Sequence, residues 1–600
     1  MSDRTNGKPA DSQAKEYKPT KVELAKQASH HLRGTIAEVL HNIELEKFEH
    51  DDQQLLKFHG VYQQRDRDRR KSKEQAAPAS PFSFMIRIAV PGGRCTSEQY
   101  LAIDQLAQKH ANGTIRLTTR QAFQFHGVTK DELWKTMNGI NEVLLTSLAA
   151  CGDIPRNVMA TPTPFADRVH REIQAMARDL AKTLAPASGA YHQIWVEGEK
   201  KFDSDKLKRE NAGEEPFYGT DYLPRKFKIG VATQDDNSID LYAYDAGLVA
   251  VTEGEGPDKR ILGYNLLVGG GFGMTHNKPD TIARIADTVA FVEPEHAIEA
   301  MRQVVAVYRD NGNREDRKHA RIKYLLEDWG VARFRDEVQA RVEFKLHDPK
   351  PVPTPRQHDY LGVHEQGDGR YFLGVWVQNG RIQNKDGVNS MDAFRKIAEE
   401  VKPTFILSPM QSMLFGDLDD QQLKRTQEIL AEHGVKPVEE LSNVRRYSMA
   451  CPAMPTCSLA MAESERVQPD IMDDLEAELE AHGLEDVELT VRMTGCPNGC
   501  ARPYNADIGL VGRKPGVYHL FVGGGLGGDR MADLFAHDIQ IETLRDTLRP
   551  LLKRFAAERI EDEGLSDFYR RAIAKDDPAP TIVTGKEEAA AEVYSLTVLA

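Results

Sequence analysis

The chain's 600 residues, 40% hydrophobic and 28% charged, describe an ordinary soluble protein too long for one core, and predict three or four domains. A formal net charge of −14 excludes broad nucleic-acid binding, so an anionic substrate needs a local basic pocket that works against the global field. No apolar run reaches membrane-spanning length and Met1-Ser-Asp-Arg-Thr-Asn-Gly7 has no hydrophobic signal core, so no membrane association is expected and the expected compartment is the cytoplasm.

Residues 1 to about 25 are polar and are expected to form a disordered tail. They open an N-terminal extension, residues 1–80, that is expected to be partly disordered and to be available as a partner-docking arm. Arg65-Asp-Arg-Asp-Arg-Arg-Lys71 is a mixed-sign run of the kind that forms a solvated face. Phe84-Met-Ile-Arg-Ile-Ala-Val90 predicts a strand and Pro91-Gly-Gly93 its turn. Ser97 to Lys109 predicts a helix leading into Gly113-Thr-Ile-Arg-Leu-Thr-Thr-Arg-Gln-Ala-Phe-Gln-Phe-His-Gly127. A strand is predicted over Arg225-Lys-Phe-Lys-Ile-Gly-Val231, then an amphipathic helix with Ile298, Met301, Val304, Val305 and Tyr308 on one face. An acidic helix from Asp470 ends at His482 and Gly483, which read as a C-cap. Gly523-Gly-Gly-Leu-Gly-Gly528 matches the dinucleotide fingerprint literally, but no strand–helix–strand unit opens there, and its counterpart at Gly269 ends in Met274. It reads as a close backbone approach, so the chain by itself is not expected to take hydride from a nicotinamide.

The chain repeats itself. Pro403-Thr-Phe-Ile-Leu-Ser-Pro-Met-Gln411 with Phe415-Gly416 parallels Gly113 to Gly127. Asp245-Ala-Gly-Leu-Val249 recurs as Asp507-Ile-Gly-Leu-Val511, and Val268-Gly-Gly-Gly-Phe-Gly273 as Val522-Gly-Gly-Gly-Leu-Gly527. The order A, B, A′, B′ predicts two halves about a pseudo-two-fold. Arg116, Arg120 and His126 of the first copy stand where the second has Ile406, Met410 and Gly416, while only B′ carries the clustered cysteines. One half supplies cations and the other thiolates, as a single site between the halves requires.

Four of the six cysteines form two pairs, Cys451-x5-Cys457 and Cys496-x3-Cys500; Cys95 and Cys151 are scattered and read as inert small hydrophobes. Clustered thiols in a chain otherwise poor in cysteine suggest a metal site rather than a disulfide framework. Zinc sites pair cysteines more tightly, and no histidine stands at ligand spacing. Four thiolates from two separated loops suit an iron–sulfur cube better, with zinc and spectator thiols as the alternatives. Pro497 and Gly499 predict a loop whose N–H groups point at cluster sulfides or an anion.

The cations at comparable places are Arg87, Arg116, Arg120, Arg156, Lys226 and Lys228, followed by Arg317, Lys318, Arg321 and Lys323. Lys226 and Lys228 share one face of a strand, which is costly unless an anion lies between them. Each cation alone is ordinarily a solvated surface residue; together they favour a pocket for a polycarboxylate cofactor, an oxyanion, or both.

At this point Cys451-x5-Cys457, Thr494-Gly-Cys-Pro-Asn-Gly-Cys500, Arg116-Leu-Thr-Thr-Arg-Gln121 and the Gly-Gly-Gly turns resemble the sirohaem and 4Fe–4S family of sulfite and nitrite reductases. The resemblance runs from about residue 28 to 572 and includes Phe58-His-Gly-Val-Tyr-Gln-Gln64, Tyr222-Leu-Pro-Arg-Lys-Phe-Lys228 and Ser448-Met-Ala-Cys-Pro452. It is strongest to the NADPH-linked assimilatory branch.

The resemblance implies an α+β fold of three lobes: ferredoxin-like half-domains at 81–160 and 345–425, a sirohaem-binding lobe at 161–344, and a second lobe at 426–600. It implies that Cys451, Cys457, Cys496 and Cys500 hold the cluster and that Cys500 is also the axial ligand of the sirohaem. Arg87, Arg156, Lys226 and Lys228 would neutralise the substrate and relay protons. Arg116, Arg120, Arg317 and Arg321 would meet the cofactor's carboxylates, with His126 and Asn498 lining the same pocket. The implied reaction is six-electron reduction of sulfite to sulfide in cysteine biosynthesis, with electrons from an NADPH-dependent FAD/FMN flavoprotein. Nitrite reduction to ammonia by the same machinery is the nearest alternative, and a non-catalytic iron–sulfur scaffold the alternative of another class. Pro578-Ala-Pro-Thr-Ile582 to Ala600 runs past the family's usual end and has no assigned role.

Overall fold

The structure is a computed structural model describing residues 18–68, 82–187, 193–196, 199–203, 215–574 and 580–584. The expectations for residues 1–17, for Arg69 to Lys71 and for the tail beyond residue 584 lie outside the described residues.

Among the described residues, four five-stranded sheets carry the repeat. Two are antiparallel throughout. The first runs, in spatial order, Val61–Arg65, Phe82–Ile88, Phe123–Val128, Ile115–Leu117 and Arg381–Ile382. The second runs Gly362–Glu365, Tyr371–Val375, Met413–Leu418, Thr404–Leu407 and Arg94–Cys95. Each therefore ends on a short strand lent by the other half: Arg381 pairs with Arg116, and Arg94 with Ile406. The exchange covers an edge of each sheet. Helix Ser97–His110, closed by a capping box between Thr96 and Gln99, packs on Ser390–Glu400 across the joint. Tyr100 stacks on Phe405 there, with ring centroids 4.2 Å apart.

The other two sheets are mixed. Met159–Ala160, Ile229–Thr233 and Ala246–Glu253 run parallel, and Arg260–Val268 and Asp287–Val292 extend them antiparallel. Ser448–Ala450, Val491–Thr494, Ile508–Lys514, Val517–Val522 and Asp533–Gln540 repeat that order. A glutamine with positive φ joins each hairpin to its mixed sheet. Gln121 (φ 47°) exchanges two hydrogen bonds with the Ala160 backbone, and Gln411 (φ 65°) does the same with Ala450. The result is the expected α+β arrangement: paired half-domains plus two lobes about a pseudo-two-fold.

The dyad is marked by one ion cluster. Asp240 and Arg502 occupy equivalent repeat positions, both with positive φ (54° and 58°), and Arg502 Nε donates to the Asp240 carboxylate. Arg492 lies 3.0 Å from the same carboxylate, Asn505 donates to it at 3.0 Å, and Gln357 also donates to it. All five side chains are buried.

Several elements depart from the sequence reading. Lys21–Gln27 is a helix capped by Thr20, with Glu23 and Lys26 buried, where a tail was expected. Arg67, from the supposed solvated run, donates to the carbonyl oxygens of Cys457 (3.4 Å) and Ala460. The strand expected from Arg225 begins only at Ile229; before it, Phe227 makes an isolated bridge to Pro155. Ile582–Thr584 of the tail pairs with Ile282–Arg284. Pro580 and Thr581 then accept from Met531 (3.0 Å) and Ile285 (3.1 Å), one in each lobe. The close-approach reading of the Gly-rich turns holds: a Cβ on Gly270 would lie 2.2 Å from Tyr242 O, and one on Gly524 2.2 Å from Asn505 C. Asp240→Ala leaves Arg492 and Arg502 buried without their carboxylate, and is expected to cost about 3–5 kcal/mol, read as a lower urea midpoint.

Candidate active site

The cysteine loops grow from the parallel strands of the second lobe. Ser448–Ala450 delivers Cys451, whose N–H bonds Met493 O at 3.2 Å, and Val491–Thr494 delivers the turn to Cys496 and Cys500. Gly495 N–H donates to Cys451 Sγ and the Asn498 amide to Cys496 Sγ, each at 3.4 Å. Gly495 admits no side chain, since a Cβ would lie 2.5 Å from Ala462 O, and Gly499 has φ 61°. Cys451 and Cys496 are buried, Cys457 half-buried and Cys500 exposed. Burial, then the neighbouring Cys500, pushes the Cys496 thiol up to about 12 and Cys451 upward likewise. Cys457 is raised by the same two causes, and the bond from Gly495 N–H to Cys451 Sγ brings the two cysteine loops together. Among the described residues, no three His, Cys, Asp or Glu side chains converge as a single ion demands.

The first half closes on Cys500. Thr119 Oγ1 donates to the Cys500 carbonyl at 3.1 Å, and Arg502 Nη1 to the Thr119 carbonyl at 3.0 Å. Arg120 follows in the same turn. Its Nη2 bonds Asn157 O (2.6 Å) and its guanidinium lies 4.7 Å from the Tyr244 ring centroid. Its Nε and Nη1 are buried with no hydrogen-bond partner among the described residues. The same is true of Nε of Arg87 and of Arg156. Arg87 Nη1 donates to Cys151 Sγ at 3.1 Å, so Cys151 is a polar contact and not an inert filler. Both ring nitrogens of His126, a residue only 2% exposed, lack partners among the described residues. Burial, then the Arg381 charge, keeps that imidazole neutral far below its usual range.

Lys226 and Lys228 flank Phe227, whose bridge to Pro155 and buried ring set the alternation. Both lysines are half-buried. Burial, then Arg225, Arg321 and Arg156, pulls Lys226 well below the ordinary lysine range. Burial, then Lys226, Arg321 and Arg120, does the same to Lys228. Asp245 accepts from Lys228 N–H (2.9 Å) and binds Arg321 through both oxygens (2.9 and 2.7 Å). Arg317 is held in the same manner by Asp153 (2.7 and 3.1 Å). These two arginines are thus spent largely on protein carboxylates, where free donors were expected. Arg116 is also engaged, donating to Glu465 and, at 2.6 Å, to Ala450 O.

Sequence reasoning missed Glu465, and it counted Lys323 only among the cations that favour an anion pocket. Against the burial that would raise it, Arg116 and Arg381 hold Glu465 at about 2. Nothing in Ala462-Glu-Ser-Glu-Arg466 signals that this one acid is drawn into a half-buried ion pair with Arg116 and Arg381. Lys323 is fully buried; its Nζ donates to Gly271 O (3.0 Å), Gly273 O (2.9 Å) and Ile282 O, fixing the first Gly-rich turn. Met274 N–H then reaches Pro497 O at 3.0 Å, tying that turn to the cysteine loop. A cleft of about 780 Å³ beside Arg381, Arg445 and Glu476 is lined by none of the cysteines and neither lysine; it lacks the chemistry assembled here.

Residues 175–346 and 441–556 match the family described as nitrite and sulphite reductase 4Fe-4S domain, and residues 80–143 and 363–433 the nitrite/sulfite reductase ferredoxin-like half domain. The sulfite reductase (NADPH) hemoprotein beta-component of Staphylococcus haemolyticus is 40% identical over 551 residues, 92% of this chain and 94% of the relative. The chain belongs to the nitrite and sulphite reductase family. The protein of the same name from Methylobacterium nodulans is 43% identical over 551 residues, covering 92% of this chain and 90% of its own length. The solved NirA protein of Mycobacterium tuberculosis shares the fold, with TM-score 0.74 at 24% identity over 92% of this chain and 97% of that one.

The residues present fit the family's 4Fe–4S cluster. The two cysteine loops adjoin through Gly495 N–H and Cys451 Sγ, and an N–H or amide donor already reaches two of the sulfurs. Cys451→Ser and Cys496→Ser are each expected to remove most of the iron bound per chain after anaerobic reconstitution. Cys95→Ser, at a buried thiol bordering the half-domain joint, should leave iron content unchanged in the same colorimetric assay.

Proposed function

We propose that this chain is the haemoprotein component of an NADPH-dependent assimilatory sulfite reductase. It reduces sulfite to sulfide with six electrons, using a sirohaem and a 4Fe–4S cluster, both of which Cys500 would hold. The observation that carries the reading is a set of buried cationic donors, with Arg87, Arg120 and Arg156 each keeping an unused N–H among the described residues, Arg120 next to the Thr119 that bonds Cys500. Their cost favours an anionic occupant, and relatives at 40% and 43% identity are named for sulfite.

When bound, the sirohaem and the cluster supply the electrons and the iron site. The chain's own residues do the rest. Arg87 and Arg156 hold the oxyanion, and Lys226 and Lys228 neutralise it and release protons as each oxygen leaves as water. Depressed proton affinity suits both lysines to that release. Arg120, His126 and Asn498 line the cofactor's pocket, while Arg116, Arg317 and Arg321 support it from behind through Glu465, Asp153 and Asp245. The Gly523–Gly528 turn closes on its own backbone and offers no dinucleotide cradle. Electrons therefore come from a separate NADPH-dependent flavoprotein carrying FAD and FMN. No described helix is long and apolar enough to cross a membrane, and the cytoplasm is the proposed compartment.

The purified protein is expected to show sirohaem absorption bands and to oxidise reduced methyl viologen faster with sulfite than with nitrite. A kinetic preference for nitrite would move it to the other branch of the family, and a colourless protein would end the proposal. Cys500→Ser should uncouple the haem and cluster signals in electron paramagnetic resonance. Lys228 is protonated, and anion affinity full, below its lowered pKa; affinity declines as pH rises through that value, well short of the ordinary lysine range. Lys228→Met should flatten that limb of the KM profile, once sulfite's own titration is subtracted, while keeping the sirohaem bands.

A further inference from the structure

The helix Lys21–Gln27 places an ammonium group far from solvent. Lys26 has a fully buried side chain, whose Nζ donates to Leu223 O at 2.9 Å. It lies 2.6 Å from Glu23 Oε1 and 3.9 Å from Asp153 Oδ2. Glu23 in turn accepts from Arg314 Nη1 at 2.6 Å, and Arg314 donates to Asp221 O (3.2 Å) and Tyr222 O (2.7 Å). Asp153 also gathers Arg317 and, at 3.6 Å, Arg225. Two carboxylates from distant parts of the chain thus balance charges from Lys26, Arg225, Arg314 and Arg317.

This network sits directly behind the anion pocket. The turn from Asp153 to Arg156 is zipped to the segment carrying the lysines by three backbone bonds: Leu223 N–H to Asp153 O (3.0 Å), Phe227 N–H to Ile154 O (3.2 Å) and Arg156 N–H to Phe227 O (2.8 Å). Lys26 grips both sides of the zip, the Leu223 carbonyl on one and the Asp153 carboxylate on the other. An ammonium is buried at this depth only where it is paired and hydrogen-bonded throughout, and a hydrocarbon would fill the space at lower cost. Retaining it puts a directional lock where a greasy contact would let the two segments slide.

We propose that Lys26 is a positioning residue for the anion pocket, holding the Asp153–Arg156 turn against Leu223–Lys228 so that Arg156, Lys226 and Lys228 aim at one point. The inference rests on the pocket assignment under Proposed function. The N-terminal helix is accordingly part of the active site's support.

The test compares full-length holoenzyme with Lys26→Met, Lys26→Arg and Glu23→Gln. Lys26→Met is expected to keep its sirohaem bands and iron content, to raise the KM for sulfite about tenfold, and to lower kcat less than about threefold. Lys26→Arg should restore most of the KM. Amide hydrogen exchange should quicken at residues 153–156 and 223–228 and nowhere else in the first lobe. An unchanged KM, or exchange unaltered in those segments, overturns the proposal; so does a joint loss of cofactor, kcat and KM that Lys26→Arg fails to rescue. If Lys26→Met does not fold, Glu23→Gln decides the matter, since it keeps the lysine and withdraws its partner: the KM and exchange shifts persist or the proposal falls. A wild-type enzyme that reduces nitrite but not sulfite would defeat the substrate assignment alone. The KM arm is then read with nitrite, and the exchange arm stands independently of turnover.

Discussion

The contact between Asp240 and Arg502 is where the two halves of the molecule cease to be copies. Equivalent positions of a two-fold repeat meet at the axis, so identical residues there would set like charges against each other in a buried site, at a prohibitive electrostatic cost. An acid in one copy and a base in the other turns that repulsion into the central bond of the fold. Arg502 then donates to Thr119 O and Pro409 O, one from each hairpin loop. Cys500 lies two residues upstream. Its place relative to the first half is thus inherited from the broken symmetry.

A second asymmetry is built on the first. In one lobe lysines precede the strand Ile229–Thr233, and in the other cysteines follow the strands Ser448–Ala450 and Val491–Thr494, though strand order and direction match. The pairs Lys228/Thr490 and Asp245/Asp507 show how little backbone change this needs. Each aspartate accepts the N–H of the residue before the middle of the three parallel strands, at 2.9 and 2.8 Å. The other oxygen of Asp245 meets Arg321, whereas that of Asp507 meets Ser566. One scaffold thus carries lysines where its copy carries none, and the copy carries the cysteines, with the same strand order beneath both.

Much of this was legible in the chain, for local reasons. The helix from Ser97 announces itself because Thr96 and Gln99 cap it without help from elsewhere, and the Gly-rich turns because only glycine tolerates backbone at 2.2 Å. The cysteine pairs carry their own spacing. Lys226 and Lys228 were legible as a pair, but their strand was not: Phe227 is held by a single bridge to Pro155, a contact 72 residues away in sequence. Arg317 and Arg321 looked like free donors because Asp153 and Asp245, which claim them, lie 164 and 76 residues off. The helix at Lys21 read as a polar tail because buried ion pairs and solvated ones have the same composition.

The sequence by itself determined the repeat, the fold class, the thiol quartet and the supply of cations, since these reside in spacing, periodicity and residue type. Only the tertiary structure decided which cations are neutralised by carboxylates and which keep unused N–H groups. It alone showed that Glu465 is paired with Arg116 and Arg381, that Lys26 is buried, and that each half-domain borrows its edge strand from the other. Those outcomes depend on which charges meet once distant segments are folded together. Coulomb energies vary with distance and burial, and neither quantity is written in the order of residues.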